Sequence, residues 1–144
     1  MSRIRFHDRN TGKWCTAREL TSPETLEKFS HMELSSTLFV HEAGDENSLQ
    51  LIELRYSPGA SVDLHAHGED GLYYILGGEM QVGSRLLKAG SSMFVARDTL
   101  YSLKAGADGI HFLLFRPRAD LSYVSKEEYE TLRKERAAES KTPS

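Results

Sequence analysis

The chain has 144 residues, of which 39% are hydrophobic and 27% charged, and its formal net charge is -3. That is enough apolar material for one closed core and too balanced for intrinsic disorder. It also lacks the basic excess that DNA, RNA or an acidic membrane surface would require of a partner.

Met1 to Asn10 is charged, without the apolar run of a secretory signal. No window approaches the roughly 18–20 apolar residues that span a bilayer. Cys15 is the single cysteine, which excludes an internal disulfide and a cysteine-based zinc site. The expectation is a reduced, cytoplasmic domain. Trp14 is expected to pack the N-terminal segment onto the core. In Thr21-Ser22-Pro23-Glu24, a capping residue, an early proline and a glutamate three places after Thr21 predict the start of a short helix through Leu26 and Phe29.

From about Leu34 to Phe115 the chain reads as short strands rich in Val, Ile, Leu, Phe and Tyr. The candidates are Thr37–Val40, Leu49–Tyr56, Val62–His67, Leu72–Leu76, Glu79–Val82, Arg85–Lys88, Met93–Ala96, Tyr101–Lys104 and Ile110–Phe115. Pro58-Gly59, Asp70-Gly71, Gly77-Gly78, Gly83-Ser84 and Ala89-Gly90 are the turn residues between them. Short gaps favour antiparallel hairpins, and a set of this size hides its edges by closing into a barrel or jelly roll. Beyond it, Ser125-Lys126-Glu127-Glu128 is a capping box, and Tyr129 and Leu132 give the helix a narrow apolar stripe. Residues from Glu139 onward are expected to fray. The division is therefore an N-terminal arm and short helix over 1–33, an all-β barrel over 34–118, and a C-terminal helix and tail over 119–144.

His65 and His67 lie two apart in a strand, so their side chains leave the same face, which on a small barrel is the interior. Two neutral imidazoles there suit a divalent transition metal such as Fe, Mn, Ni or Zn. Further ligands are open among Glu69, Asp70, Tyr101 and His111. Tyr73, which shares parity with Gly71, and Tyr101 are the candidate catalytic residues for moving a proton. His7, His31 and His41 fall outside this region and are expected to be solvent-exposed, and Cys15 receives no catalytic role.

The run Gly59-x5-His65-x-His67-x10-Gly78 resembles the first sequence motif of the cupin superfamily, and Gly90-x5-Ala96-x-Asp98-x2-Tyr101 lies where the second belongs. The resemblance covers about Leu51 to Pro117. It implies a cupin-type double-stranded β-helix, or jelly-roll, barrel with short flanking helices, a central metal or small-molecule pocket, and a homodimer. Metal-binding cupins typically supply two His and a Glu from the first motif and a His from the second. Here Gly71 stands at the Glu position and Tyr101 at the second-motif His position, while Ala96 and Asp98 replace a proline and a glycine. Besides a structural or partner-binding protein whose pocket is filled by side chains, two readings follow. One is a divalent-metal-dependent enzyme of dioxygenase, isomerase, lyase or decarboxylase type, acting on a small oxygenated metabolite. The other is a metal-free small-molecule binding or sensing module.

Overall fold

Alternation of buried and exposed side chains along two long strands shapes the molecule. The computed structural model describes residues 3–26, 36–119 and 122–140. In chain order the elements are β1 (Cys15–Thr16), α1 (Ala17–Leu20), α2 (Pro23–Leu26), β2 (Thr37–Glu42), β3 (Gln50–Tyr56), β4 (Ser61–Ala66), β5 (Gly71–Val82), β6 (Arg85–Lys88), β7 (Ser92–Val95), β8 (Tyr101–Arg116), β9 (Val124–Ser125) and α3 (Lys126–Ser140). The strands form one curled antiparallel sheet. Its path runs β1-β2-β3-β8-β4-β9, and β5 pairs with β6, β7 and β8.

β8 is the spine. Its first part pairs with β4 through Ser61↔Lys104, Val62↔Leu103 and His65↔Tyr101. Its last part pairs with all of β3, from Tyr56↔Ile110 to Gln50↔Arg116. β5 accompanies it on the other side along both parts. The sequence reading placed two strands where β5 runs and two where β8 runs, and the structure corrects both. Gly77-Gly78 is not a turn but an irregularity within β5, where the register shifts between Ile75 and Gly77 and again between Gly78 and Met80. Glycine here bends a strand without ending it.

The bend changes which residues face inward. On β5, Gly71, Tyr73 and Ile75 are buried before it and Met80 after it; on β8, Tyr101, Leu103 and Ala105 are buried, then Ile110, Phe112, Leu114 and Arg116. Odd positions give way to even ones, so both halves of each strand contribute to one core. That core is built from Leu54, Ala60, Val62, Tyr73, Ile75, Met80, Tyr101, Leu103, Ala105, Ile110, Phe112 and Leu114.

Other expectations shift at the edges. The helix expected from Thr21-Ser22-Pro23-Glu24 starts at Pro23 as α2, while the Thr21 hydroxyl donates to Ala17 O at 2.5 Å at the end of α1, whose N-cap Thr16 accepts from Glu19 N at 3.3 Å. The C-terminal segment is not only helix and tail, because β9 adds to the barrel through His65↔Ser125 and Ala66↔Val124. The expected capping box is present, with Glu128 N donating to Ser125 Oγ at 3.3 Å. Phe29, His31, Leu34, the 33/34 boundary and residues 141–144 lie outside the described residues. Among the described residues no helix is long and apolar enough to cross a membrane.

The N-terminal arm lies on the outer face of β2, β3 and β8. Trp14 packs on Phe39 with ring centroids 5.7 Å apart, and Arg55 sits over the Trp14 ring at 4.5 Å. Beside them, Glu53 is 2% exposed. Arg9 donates to its Oε2 at 2.5 Å, His41 Nε2 meets Oε1 at 3.0 Å, and His111 meets Oε2. His41 is therefore a structural partner of Glu53 rather than a solvent-exposed histidine. Burial works against the Glu53 carboxylate, but hydrogen bonds from His41, Arg9 and His111 outweigh it and hold the pKa at about 2.

Two predictions follow from this architecture. Gly78 has φ +69, and a Cβ there would lie 2.1 Å from Gly109 O, whereas Gly83 has φ +59 with nothing within 4 Å. Gly78→Ala should therefore cost more than about 3 kcal/mol in urea denaturation and Gly83→Ala about 1 kcal/mol; equal losses would refute the close-approach account. Because the folded-state pKa of Glu53 is depressed, its contribution is complete above the ordinary carboxylate range and disappears as pH falls toward 2. Melting curves from pH 7 to pH 2 should show roughly 3 kcal/mol lost through this window, a loss that Glu53→Gln flattens.

Candidate functional site

The barrel holds a half-open pocket of about 180 Å³. This is well above the roughly 10–15 Å³ that one water needs and below the roughly 300–1,000 Å³ of pockets for drug-sized ligands. Apolar walls come from Leu38, Ile52, Leu54, Val62, Leu103, Phe112 and Leu114. The polar groups include His65, His67, Tyr73, Tyr101, Arg116 and Tyr123, with Thr21, Ser36 and Tyr56 also on the lining.

Strand register explains the grouping. His65 stands directly across from Tyr101, and their ring centroids are 4.4 Å apart. The two histidine rings are 4.8 Å apart. Each is fixed through Nδ1, which donates to Asp63 O at 2.7 Å in His65 and to Ser122 O at 2.7 Å in His67. A neutral ring held this way has its lone pair on Nε2. Desolvation pushes the His65 pKa below its ordinary value, so this ring stays neutral near pH 7.

Tyr73 and Tyr101, 3% and 8% exposed, share a hydrogen bond between their hydroxyls. Burial, with Tyr73 alongside, pushes the Tyr101 phenol well above its ordinary pKa. Tyr101 is thus a proton-bearing hydrogen-bond donor at ordinary pH and a poor phenolate ligand. Tyr123 stacks on His65, with centroids 4.8 Å apart and planes 5° from parallel. It is brought there by β9, and Gly68 N donating to Ser122 Oγ at 2.8 Å holds the same segment.

The structure brings His65, His67, Tyr73 and Tyr101 together and leaves other candidates elsewhere. His111 is on the opposite face of the sheet, on Glu53. Asp70 Oδ1 accepts from Arg97 N at 2.8 Å. Glu69 borders a small recess beside His67, where Arg118 binds its carboxylate at 2.9 and 3.0 Å.

Arg116 and Tyr123 were not singled out in the sequence. Arg116 carried a legible signal, since it continues the buried series Ile110, Phe112, Leu114 with a charged residue. It is 5% exposed and lines both the cavity and the recess. A Cβ on Gly71 would lie 3.9 Å from Arg116 Nε. The guanidinium thus borders the position from which cupin-type metal sites take their carboxylate. Among the described residues no group of three His, Cys, Asp or Glu comes together to hold a metal. Two imidazoles, two protonated phenols and a guanidinium do not fit a resident divalent cation.

Searches with protein-family models and against curated proteins give no match. Solved structures do match. RemF, a polyketide cyclase of Streptomyces resistomycificus, aligns at TM-score 0.54 and 20% identity, covering 68% of this chain and 78% of its own. KdgF from Halomonas sp. aligns at 0.51 and 22%, covering 62% and 87%. An RmlC-like cupin from Shewanella frigidimarina aligns at 0.50 and 24%, covering 57% and 76%. A Bacillus subtilis oxalate decarboxylase variant is matched over only 22% of its length, at TM-score 0.47 and 23% identity. At these identities the likeness is one of fold: the chain is a cupin-type jelly-roll barrel.

Proposed function

We propose that the protein is a small-molecule-binding cupin whose pocket works without a resident metal. The observation that carries this reading is Arg116, a buried guanidinium bordering the Gly71 position, where a metal site would need a carboxylate. A fixed positive charge beside His65 and His67 opposes capture of a divalent cation. The apolar walls and the polar cluster suit a small oxygenated metabolite instead.

A second reading, a metal-dependent enzyme of dioxygenase, isomerase, lyase or decarboxylase type, is favoured by one feature. Both histidines have Nδ1 tied to a backbone carbonyl, an arrangement that orients a metal-ligating imidazole. On either reading Tyr73 and Tyr101 are the hydroxyls placed to donate to the ligand. A cytoplasmic location, consistent with the lone Cys15, belongs to the same proposal.

Assembly as a homodimer is also proposed. Its support is the exposed apolar row on the outer face, where Phe94 (63% exposed) pairs with Leu72 (44%), which pairs in turn with Phe115 (37%). A monomeric mass in multi-angle light scattering would remove this part.

Elemental analysis of tag-free protein, beside a His65→Ala, His67→Ala double mutant, separates the two main readings. The expected result is far less than one equivalent of metal in both, even after loading with iron, manganese, nickel and zinc. Near one equivalent in the parent and none in the mutant would overturn the metal-free reading.

A further inference from the structure

His65 is a buried polar side chain whose two nitrogens have different surroundings. It is 3% exposed, and its Nδ1 donates to Asp63 O, two residues back on its own strand. Tyr123 stacks on the ring, while Tyr101 and His67 crowd it at centroid distances of 4.4 and 4.8 Å. With Nδ1 turned back to the strand, the distal edge of the ring, which carries Nε2, borders the pocket. Among the described residues none hydrogen-bonds to His65 Nε2. Nor is this nitrogen one of the polar atoms sealed inside the barrel without a partner, so it opens onto the pocket.

The bond at Nδ1 sets the chemistry at Nε2. A neutral ring that donates through Nδ1 holds a lone pair, and no proton, on its other nitrogen. Burial keeps the ring neutral by pushing its pKa below the ordinary value. A buried acceptor left without a donor is costly, so a ligand that fits here brings the proton. A carboxylate cannot supply it, since its oxygens and the lone pair repel each other. An ammonium would give up its water for walls of Leu38, Ile52, Leu54 and Phe112, with no Asp or Glu among the described lining residues. An uncharged hydroxyl meets neither obstacle.

We infer that the pocket selects a small uncharged alcohol or phenol, its hydroxyl donating to His65 Nε2 and its hydrocarbon part against the apolar wall. At about 180 Å³ the hydrocarbon part is a single ring or short chain rather than a drug-sized skeleton. The inference rests on the metal-free reading proposed above, because a bound metal would occupy the same lone pair. It adds the ligand's charge state and its anchor.

Isothermal titration of the tag-free full chain, with a chelator present, compares phenol with toluene and benzyl alcohol with ethylbenzene. Each pair exchanges a hydroxyl for a methyl group of similar size, and an apolar pocket lacking an acceptor prefers the hydrocarbon. The expected order is the reverse, with at least one hydroxyl compound binding at least about tenfold tighter than its partner. His65→Phe, which keeps a planar ring and removes the acceptor, should invert that order. Nitrogen-15 NMR of the parent protein reads the same bond without relying on a variant. There the His65 Nε2 resonance should lie in the unprotonated range and move when phenol, but not toluene, is added. Hydrocarbons that bind as tightly as their hydroxyl partners, a preference that survives His65→Phe, or an Nε2 resonance unmoved by bound phenol would overturn the hydroxyl inference and leave the pocket standing. Hydroxyl binding that appears only when a transition metal replaces the chelator would overturn the metal-free reading and the inference with it. Failure of all the compounds to bind would overturn the inference together with the pocket.

Discussion

The structure depends on the place where β5 and β8 pass each other at a bend. Gly78 and Gly109 both have positive φ, and a Cβ on Gly78 would collide with Gly109 O. Only backbone fits between them. Because both strands bend there together, neither has to end, and the sheet curls into a barrel with its pairing intact on both sides of the bend. The same irregularity shifts the inward-facing series by one residue. Without that shift, either Tyr101, Leu103 and Ala105 or Phe112, Leu114 and Arg116 would face solvent.

The cavity is a consequence of that shift. Tyr101 comes from the first part of β8 and Arg116 from its end, yet both line one space with Tyr73 of β5 and His65 of β4. Tyr123, just before β9, joins it by stacking on His65. Pairing rather than sequence proximity makes the site, so its members are spread from β4 to β9.

Charge is partitioned across the sheet. On the outer face, buried Glu53 is surrounded by Arg9, His41 and His111, and this cluster fastens the N-terminal arm to β2, β3 and β8. On the inner face, among the described residues, Arg116 is the buried charged side chain. An acid with its donors outside and a base with phenols inside are separated by one layer of strand. Neighbouring positions on a strand face opposite ways, so His111 and Phe112 serve these two environments from adjacent places in the chain.

Much of this was legible in the sequence, for identifiable reasons. The strand rhythm, the turn residues and the spacing of Gly59, His65, His67, Gly78 and Gly90 pointed to a cupin barrel, because glycines with required backbone geometry and histidines two apart on a strand leave local marks. The shared face of His65 and His67 follows from period-two geometry, and the inner-facing Tyr73 from its parity with Gly71, the position that the cupin resemblance places in the pocket. Tertiary structure decided the rest. Gly77-Gly78 reads equally as a turn or a bulge, and only the partner strand selects between them. His111 faced either way until the register placed it on Glu53. Arg116 entered the site as the end of the inward series of β8, and Tyr123 through a pairing that joins distant segments, Ala66↔Val124, which no local pattern encodes. The sequence by itself determined most strand positions and the histidine pair, since those depend on neighbours in the chain, but not where β5 and β8 run on through their bends. The polarity of the pocket was decided by the fold, because it depends on which side chains the curled sheet brings to face one another.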